Sequence, residues 1–242
     1  MILNKVFIPC AGSGSRLNNL TNSKNKALID INNKPIISHI IENFSNKATF
    51  IIALGHKGNL LKNYLKSAHK DINFIFVKIK NYSGPKSGLG YTMNNCSKFL
   101  NEPFVFCSCD TLFKKKIKFI KNDWVGYDLL NDRDNFYRKV IIKNKRLLIK
   151  EKKFKSKKCY IGLAGIHNYK KFWQAFRKNK EKSLKIGEVE AINHSKSEFI
   201  SKKFKWWDTG NVNSFNKAKN KFEKNKFNIL EKNNESIWFV NR

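Results

Sequence analysis

The sequence contains no stretch of about 18 apolar residues, which excludes a membrane-spanning helix. Its first residues, Met1-Ile2-Leu3-Asn4-Lys5, run straight into strand-like sequence. They lack the charged segment, apolar core and small-residue cleavage site of a secretory signal. Cysteine is scarce and odd in number: Cys10, Cys96, Cys107, Cys109 and Cys159, with no CxxC pair. That usage predicts a reduced, cytoplasmic protein. Cys107 and Cys109 flank Ser108 and point to one face, inward; with no histidine near them they argue against a thiolate metal site. There is no internal repeat and no linker. Acid is also in short supply, 18 Asp and Glu against 49 Lys and Arg, a net charge of +31. Such a charge suits a nucleic-acid-binding protein, which is the rival reading from another function class. The lysines, however, are spread over every segment among Asn and Ile, as a compositional bias and not as one basic face. The runs Lys114-Lys115-Lys116 and Lys150 to Lys158 read as a solvated turn and a solvated hairpin. A basic field would still draw in small anionic substrates.

What is present is enough for a full core: 242 residues, 41% hydrophobic, with 20 Phe. Strand Leu3–Ile8 comes first, and Pro9 is expected to end its ladder for want of an N–H. Leu28–Ile31 is a short extended piece before the turn Asn32-Asn33-Lys34-Pro35. Pro35 opens a helix, Ile36–Phe44, with apolar residues at helical spacing. The apolar run Thr49–Leu54 fits a strand buried on both faces. A helix to about Lys70 and a strand Asn73–Ile79 follow. This βαβαβ order predicts an α/β fold with a parallel sheet. Next come the loop Tyr82 to Thr92, a helix to Phe99, the strand Phe104–Ser108, a helical turn near Ile117–Lys121 and a strand Trp124–Leu129. The second half reads as a meander, Phe136–Ile142 and Arg146–Lys150 joined at Asn144, then strand Tyr160–Ile166. Helices are expected over Tyr169–Asn179, Leu184–Asn193 and Val212–Phe222, with a strand at Phe199–Lys203 and another apolar piece at Ile237–Val240.

The loop after the first strand carries the strongest chemical signal. Ala11-Gly12-Ser13-Gly14-Ser15-Arg16-Leu17 is a small-residue loop with one cation, and Lys26 follows ten residues later. Glycines let a backbone approach a ligand and aim its N–H groups at an anion. A dinucleotide fingerprint would need a third Gly where Leu17 stands and an acid after the second strand, where Leu54-Gly55-His56 has none. A P-loop would need Gly-Lys-Ser/Thr, which is absent. A plain turn remains compatible with the loop taken alone. Asp110 ends an apolar strand, at the carboxyl edge where open α/β sheets bind ligands. Asp208 lies in Trp207-Asp208-Thr209-Gly210. Two converging carboxylates suit Mg²⁺, which takes oxygen ligands and substrate phosphates. Read singly, Asp110 could be a helix N-cap and Asp208 a turn residue.

In order, Ala11-Gly12-x-Gly14-x-Arg16-Leu17, Lys26-Ala27-Leu28, a strand-end Asp110 and Trp207-Asp208-Thr209-Gly210 resemble the nucleotidyltransferases that activate phosphorylated sugars and phosphocholine. The resemblance runs from Leu3 to about Ala218. Gly88-Leu89-Gly90-Tyr91 is similar to capsule-associated members. The resemblance implies a Rossmann-like, mostly parallel sheet flanked by helices, with a small mixed β lobe for the acceptor. It implies one domain over 1–242, with a nucleotide half (1–130) and an acceptor half (131–242). Ala11, Gly12, Gly14, Ser15, Gly88 and Tyr91 would contact the nucleotide. Arg16 would grip the leaving pyrophosphate, Lys26 the α-phosphate, and Asp110 and Asp208 the Mg²⁺. Glu151, Lys152, Gly162, Glu188 and Trp207 would lie near the acceptor. The implied partners are CTP, or another NTP, and a small phosphorylated acceptor such as phosphoglutamine or phosphocholine; a sugar 1-phosphate remains open, and nucleic acid is not implied. Asn25 departs from the proline usual before the lysine, and Cys109 from the glycine usual before the aspartate in sugar-specific members.

Overall fold

The computed structural model describes residues 5–117, 120–130 and 136–232, the last ten of these as helix backbone alone. In chain order the first half contains β1 (Lys5–Cys10), β2 (Asp30–Ile31), β3 (Lys34–Pro35), α1 (Ile36–Ile41), β4 (Thr49–Leu54), α2 (Gly58–Ala68), β5 (Asn73–Lys78), α3 (Leu89–Cys96) and β6 (Phe104–Cys107). The second contains β7 (Thr111–Lys114), β8 (Asp123–Leu129), β9 (Lys139–Lys143), β10 (Arg146–Lys150), β11 (Lys158–Ile166), α4 (Tyr169–Lys178), α5 (Lys180–Ile186), α6 (Glu188–His194), β12 (Phe199–Lys203), β13 (Lys205–Asp208) and α7 (Val212–Lys232).

Among the described residues, nine strands form one sheet. Strands β6, β1, β4 and β5 are parallel neighbours in that order. Strand β11 pairs antiparallel with β6 and carries the rest: β9 and β10 on one branch, β8 and β12 on the other. The mixed lobe expected for the acceptor half is thus a continuation of the main sheet. Both faces are covered. Val6, Ile8 and Cys10 of β1 point into a core with α1, α2 and α7, and Phe7 into a core with α3, α4 and α6. That alternation is the period of two expected of a strand. The run Thr-Phe-Ile-Ile-Ala-Leu of β4 is buried after its first residue, as a central parallel strand requires. Helix α4 buries Phe172, Trp173 and Phe176, with Phe172 edge-on to Phe104 and Trp173 stacked on it. Asp123, itself buried, accepts the N–H groups of His167 and Asn168 at the start of α4.

Two expectations need correction, and one element was not foreseen. Pro9 does not end β1: its ladder with β6 stops after Phe7, but the ladder with β4 runs on through Pro9 to Cys10. The helix expected over Leu184–Asn193 is two helices, broken at Gly187, whose φ of 89° suits a residue without a Cβ. The segments β7 and β13 are strands that pair with each other, as a separate ribbon too short to show periodicity. The hairpin at Asn144 is as expected, with Asn144 and Lys145 both at positive φ. The runs Lys114–Lys116 and Lys152–Lys155 are exposed. The tail Ile237–Val240 and part of the turn near Ile117–Lys121 lie outside the described residues. Among those described, no helix is long and apolar enough to cross a membrane.

Helix α3 lies so close to α5 that a Cβ on Gly90 would overlap the Ser183 carbonyl. Gly90→Ala must push the two helices apart, and is expected to cost about 1–3 kcal/mol. Gly12, whose Cβ position has nothing within 4 Å, serves as the control. Urea unfolding of both variants measures the difference; equal midpoints would refute this account of the helix contact.

Candidate active site

The site forms where β1 and β6 end side by side. Both strands run in the same direction, and their register pairs Phe7 with Phe106. The loop after β1 and the turn after β6 therefore open onto the same edge. In the loop, Gly14 has φ 72°, and a Cβ there would sit 2.9 Å from Thr21 Cγ2 and 3.1 Å from Lys26 Cβ. Only glycine allows the loop to fold that tightly against Lys26. Gly12, Ser15 and Arg16 are exposed along it, and Ala11 is buried.

Lys26 Nζ stands 3.0 Å from Asp110 Oδ2. The other Asp110 oxygen accepts from Ser108 Oγ at 2.7 Å. Burial is the largest single effect and opposes both charges, but the partner's charge together with the neighbouring charges and hydrogen bonds outweighs it. Lys26 is held above the ordinary lysine range. Asp110 is held at about 2, with Ser108 and Arg16 adding to the effect of Lys26. Both groups are charged at neutral pH.

Asp208 is brought to Asp110 by the β7–β13 ribbon, which sets Asp208 opposite Thr111. The buried Thr209 then clasps the turn, donating its N–H at 3.0 Å and its hydroxyl at 2.9 Å to the Asp110 carbonyl. Gly210 leaves the space between the carboxylates open. A Cβ at Gly210 would lie 3.1 Å from Asp208 Oδ1, 3.2 Å from Asp110 Oδ2 and 3.5 Å from an Arg16 guanidinium nitrogen. Arg16, Asp110 and Asp208 thus surround one point, with Lys26 against Asp110. Burial, then the charge of Asp110, pushes the Asp208 carboxyl upward; hydrogen bonds from the Gly210 N–H and the Tyr137 hydroxyl work against that. Two carboxylates crowded in this way fit a divalent cation that keeps waters and phosphates as its other ligands. Among the described residues no group of three or more His, Cys, Asp or Glu is placed to hold a metal.

The residues expected near the acceptor fall into two sets. Gly162, at φ 70°, packs on Ser108, with 2.9 Å from its Cβ position to Ser108 Cβ, and its carbonyl accepts the Ser108 N–H. It therefore belongs to the wall behind Asp110. Glu188 is buried, accepts from Tyr160 Oη at 3.1 Å, and is pushed up to about 7 by burial. Glu151 is exposed and pairs with Arg138 at 3.5 Å, and Lys152 is exposed on the loop beyond. The Trp207 ring is buried, edge-on to Phe222, while Trp206 is half-buried and packs on Tyr137 at 4.8 Å. Gly88 opens α3, with 3.2 Å from its Cβ position to the Leu184 carbonyl, and Tyr91 is half-buried against the α3 side of the core. Sequence reasoning missed Ser108, Tyr137, Arg138 and Tyr160. Ser108 had a signal, a small hydroxyl two residues before a strand-end acid.

Residues 6–118 match the model of the MobA-like NTP transferase domain. A "Bifunctional protein GlmU" from Methanococcus maripaludis is 30% identical over 133 residues, covering 54% of this chain and 31% of the relative. A "Probable glucose-1-phosphate cytidylyltransferase" from Bacillus subtilis is 39% identical over 62 residues, 25% of this chain and 24% of the relative. The chain thus spans less than a third of the length of either relative. The solved CTP:phosphocholine cytidylyltransferase of Streptococcus pneumoniae superposes with a TM-score of 0.74 at 17% identity, covering 91% of this chain and all of that one. That likeness is one of fold: an α/β sheet flanked by helices.

Glu188 makes the stability of the fold sensitive to pH. Its carboxyl rises from an ordinary 4.5 to about 7 on folding, so the folded state keeps the proton to higher pH. Its contribution is full below pH 4.5 and is lost as pH rises through 7. A shift of this size corresponds to roughly 3 kcal/mol. Glu188→Gln, which cannot ionise, is expected to lose less stability than the wild type between pH 5 and pH 7.5. Denaturant unfolding at both pH values measures this; parallel losses would contradict the burial of an ionisable group there.

Proposed function

We propose that this chain, which carries a nucleotidyltransferase domain of the MobA-like type over residues 6–118, transfers a nucleoside monophosphate from an NTP to a small phosphorylated acceptor. CTP is the favoured donor, supported by the cytidylyltransferase names of two similar proteins. The favoured acceptor is a compact phosphate ester or phosphoramidate such as phosphocholine or phosphoglutamine, in modification of a surface polysaccharide. Sugar 1-phosphates are the alternative. The observation that carries the proposal is the convergence of Arg16, Lys26, Asp110 and Asp208 on one point at the carboxyl ends of β1 and β6.

An acceptor phosphate oxygen attacks the α-phosphorus. A new P–O bond forms there, the bond to the β-phosphate oxygen breaks, and pyrophosphate leaves with the electron pair. The attacking oxygen is already ionised, so no general base is needed. Lys26 faces the α-phosphate, and its raised pKa keeps it cationic throughout. Arg16 is placed for the departing pyrophosphate. Backbone N–H groups of the 11–17 loop would hold the triphosphate, as successive glycines and turns do for anions. Mg²⁺, held by Asp110 and Asp208, would supply charge neutralisation on the phosphates. Catalysis is then positioning plus electrostatic stabilisation. The nucleotide sits on the 1–130 half. The acceptor sits toward 131–242, where Gly162, Glu188 and the Tyr137–Asp208 hydrogen bond lie.

Asp110→Asn is expected to lower Mg²⁺-dependent pyrophosphate release by about 10²–10³-fold with the circular dichroism spectrum unchanged. Lys26→Ala should act mainly on kcat. Release is measured with each NTP against phosphocholine, phosphoglutamine and glucose 1-phosphate. Release undiminished in Asp110→Asn would refute the site, and a Lys26→Ala effect confined to KM would refute the role at the α-phosphate.

A further inference from the structure

Asn25 is fully buried and spends its whole carboxamide on backbone groups from three places. Its Nδ2 donates to the Cys10 carbonyl at 2.9 Å and to the His56 carbonyl at 2.7 Å. Its Oδ1 accepts the Ala27 N–H at 3.0 Å. Cys10 is the last residue of β1, and His56 lies in the turn after β4. Ala27 is the second residue of the single 3₁₀ turn Lys26–Leu28, so the Oδ1 contact is an N-cap on the turn that Lys26 opens. Both hydrogens of the amide are used, which no carboxylate or hydroxyl of that size could reproduce.

His56 repeats the arrangement at the other end of the loop. Its N–H donates to the Ala11 carbonyl at 2.9 Å, and its Nε2 lies 3.1 Å from the Thr21 carbonyl. Gly55 has no room for a Cβ against that same Ala11 carbonyl. The loop 11–28 is therefore pinned to the 55–56 turn at Ala11, Thr21 and Asn25. Asn25 has φ −66° and ψ 144°. That φ is the one a proline ring would impose. Here hydrogen bonds hold the backbone where a ring otherwise would.

We propose that Asn25 is the positioning residue for Lys26, fixing its backbone so that the ammonium reaches both Asp110 and the α-phosphate. The inference rests on the nucleotidyl transfer proposed above. A lysine stem has several rotatable bonds, and its head can be placed only as well as its Cα is placed. Lys26 Cβ already lies 3.1 Å from the Cβ position of Gly14, so a drift of the 3₁₀ turn would disturb the phosphate loop as well. A displacement of about 1 Å in such a group costs on the order of 10²-fold in rate.

The test compares the wild type, Asn25→Ala, Asn25→Ser, Lys26→Ala and Asn25→Ala/Lys26→Ala. The first readout is Mg²⁺-dependent pyrophosphate release from CTP with phosphocholine or phosphoglutamine. Asn25→Ala should lose about 10²-fold in kcat with the nucleotide KM changed by less than about threefold. Asn25→Ser, which keeps a cap on Ala27, should recover part of that loss. In the Lys26→Ala background Asn25→Ala should lower kcat no further, because residues that act as one unit are not additive. The second readout needs no turnover: acetylation of lysines by acetic anhydride, followed by mass spectrometry. Lys26, paired and part-buried, should react slowly in the wild type and about tenfold faster in Asn25→Ala relative to the exposed lysines, with Asn25→Ser between the two and all proteins folded by circular dichroism. Multiplicative losses in the double variant would overturn the inference, as would unchanged Lys26 labelling in a folded Asn25 variant. No release by the wild type with any donor and acceptor would instead refute the proposed function, and labelling would still decide whether Asn25 positions Lys26.

Discussion

The contact between Lys26 and Asp110, 3.0 Å apart with each side chain 16% exposed, is the constraint on which the site depends. Removing two charges from water costs several kcal/mol per ion, and their attraction offsets this only when geometry and hydrogen bonding are good. The surrounding structure meets that condition piece by piece. Ser108 takes the second oxygen of Asp110, Thr209 takes its carbonyl, and Asn25 caps the turn of Lys26. Each of these groups acts on the pair from a different segment of chain. A part-buried pair held from so many sides is poor as a source of stability but well suited to present a fixed cation to an anion.

The position of the pair follows from topology. From β1 the chain crosses to β4 and β5 on one side, then returns to lay β6 on the other. The loops after β1 and β6 therefore diverge, leaving a crevice at the carboxyl ends of two parallel strands. Open α/β sheets bind ligands at this switch point. The crevice would hold a single carboxylate without the β7–β13 ribbon. That ribbon is only four residues long on each side, but it carries Asp208 back across the chain to Asp110. Trp207 anchors it in the core through Phe222, Thr209 clasps it, and Gly210 keeps the gap open. Each position of Trp-Asp-Thr-Gly thus has a separate physical task.

Much of this was legible beforehand. Strands β4, β10 and β12 occupy the ranges the sequence suggested, because a run of five or six residues, continuous in β4, is long enough to stand out from its flanking turns. Arg16, Lys26, Asp110 and Asp208 could be named because glycine spacing and strand ends are local signals. Residues that act through backbone carbonyls were not legible. Asn25 looked like a departure from a pattern, and His56 like a lone histidine, since nothing local shows that they meet Cys10, Ala11 and Thr21. The ribbon was missed because its two segments lie about 90 residues apart and neither alone has a periodic pattern. Pro9 misled for a related reason: lacking an N–H ends a strand only where that N–H has a partner to lose, and one ladder had already stopped at Phe7.

The scarcity of acid sharpens the meaning of the acids that are buried. In a chain with 18 carboxylates against 49 basic side chains, any surface acid has cations nearby without special arrangement. The buried ones have specific partners instead. Asp123 holds the start of α4, Asp110 holds Lys26, and Glu188 meets Tyr160. The last two are driven in opposite directions, to about 2 and about 7, by the balance between burial and a neighbouring charge. Tyr160 and Gly162 on β11 lie two residues apart, one touching Glu188 and the other packed behind Asp110. One strand thus connects a carboxylate that stays ionised with a carboxyl that takes a proton near neutrality. An ionised acid beside fixed cations suits polyphosphate and metal, whereas a near-neutral acid in an apolar wall can donate or accept a hydrogen bond. Two acids joined by one strand are therefore driven apart in proton affinity by their surroundings alone, and the net charge of +31 reveals neither.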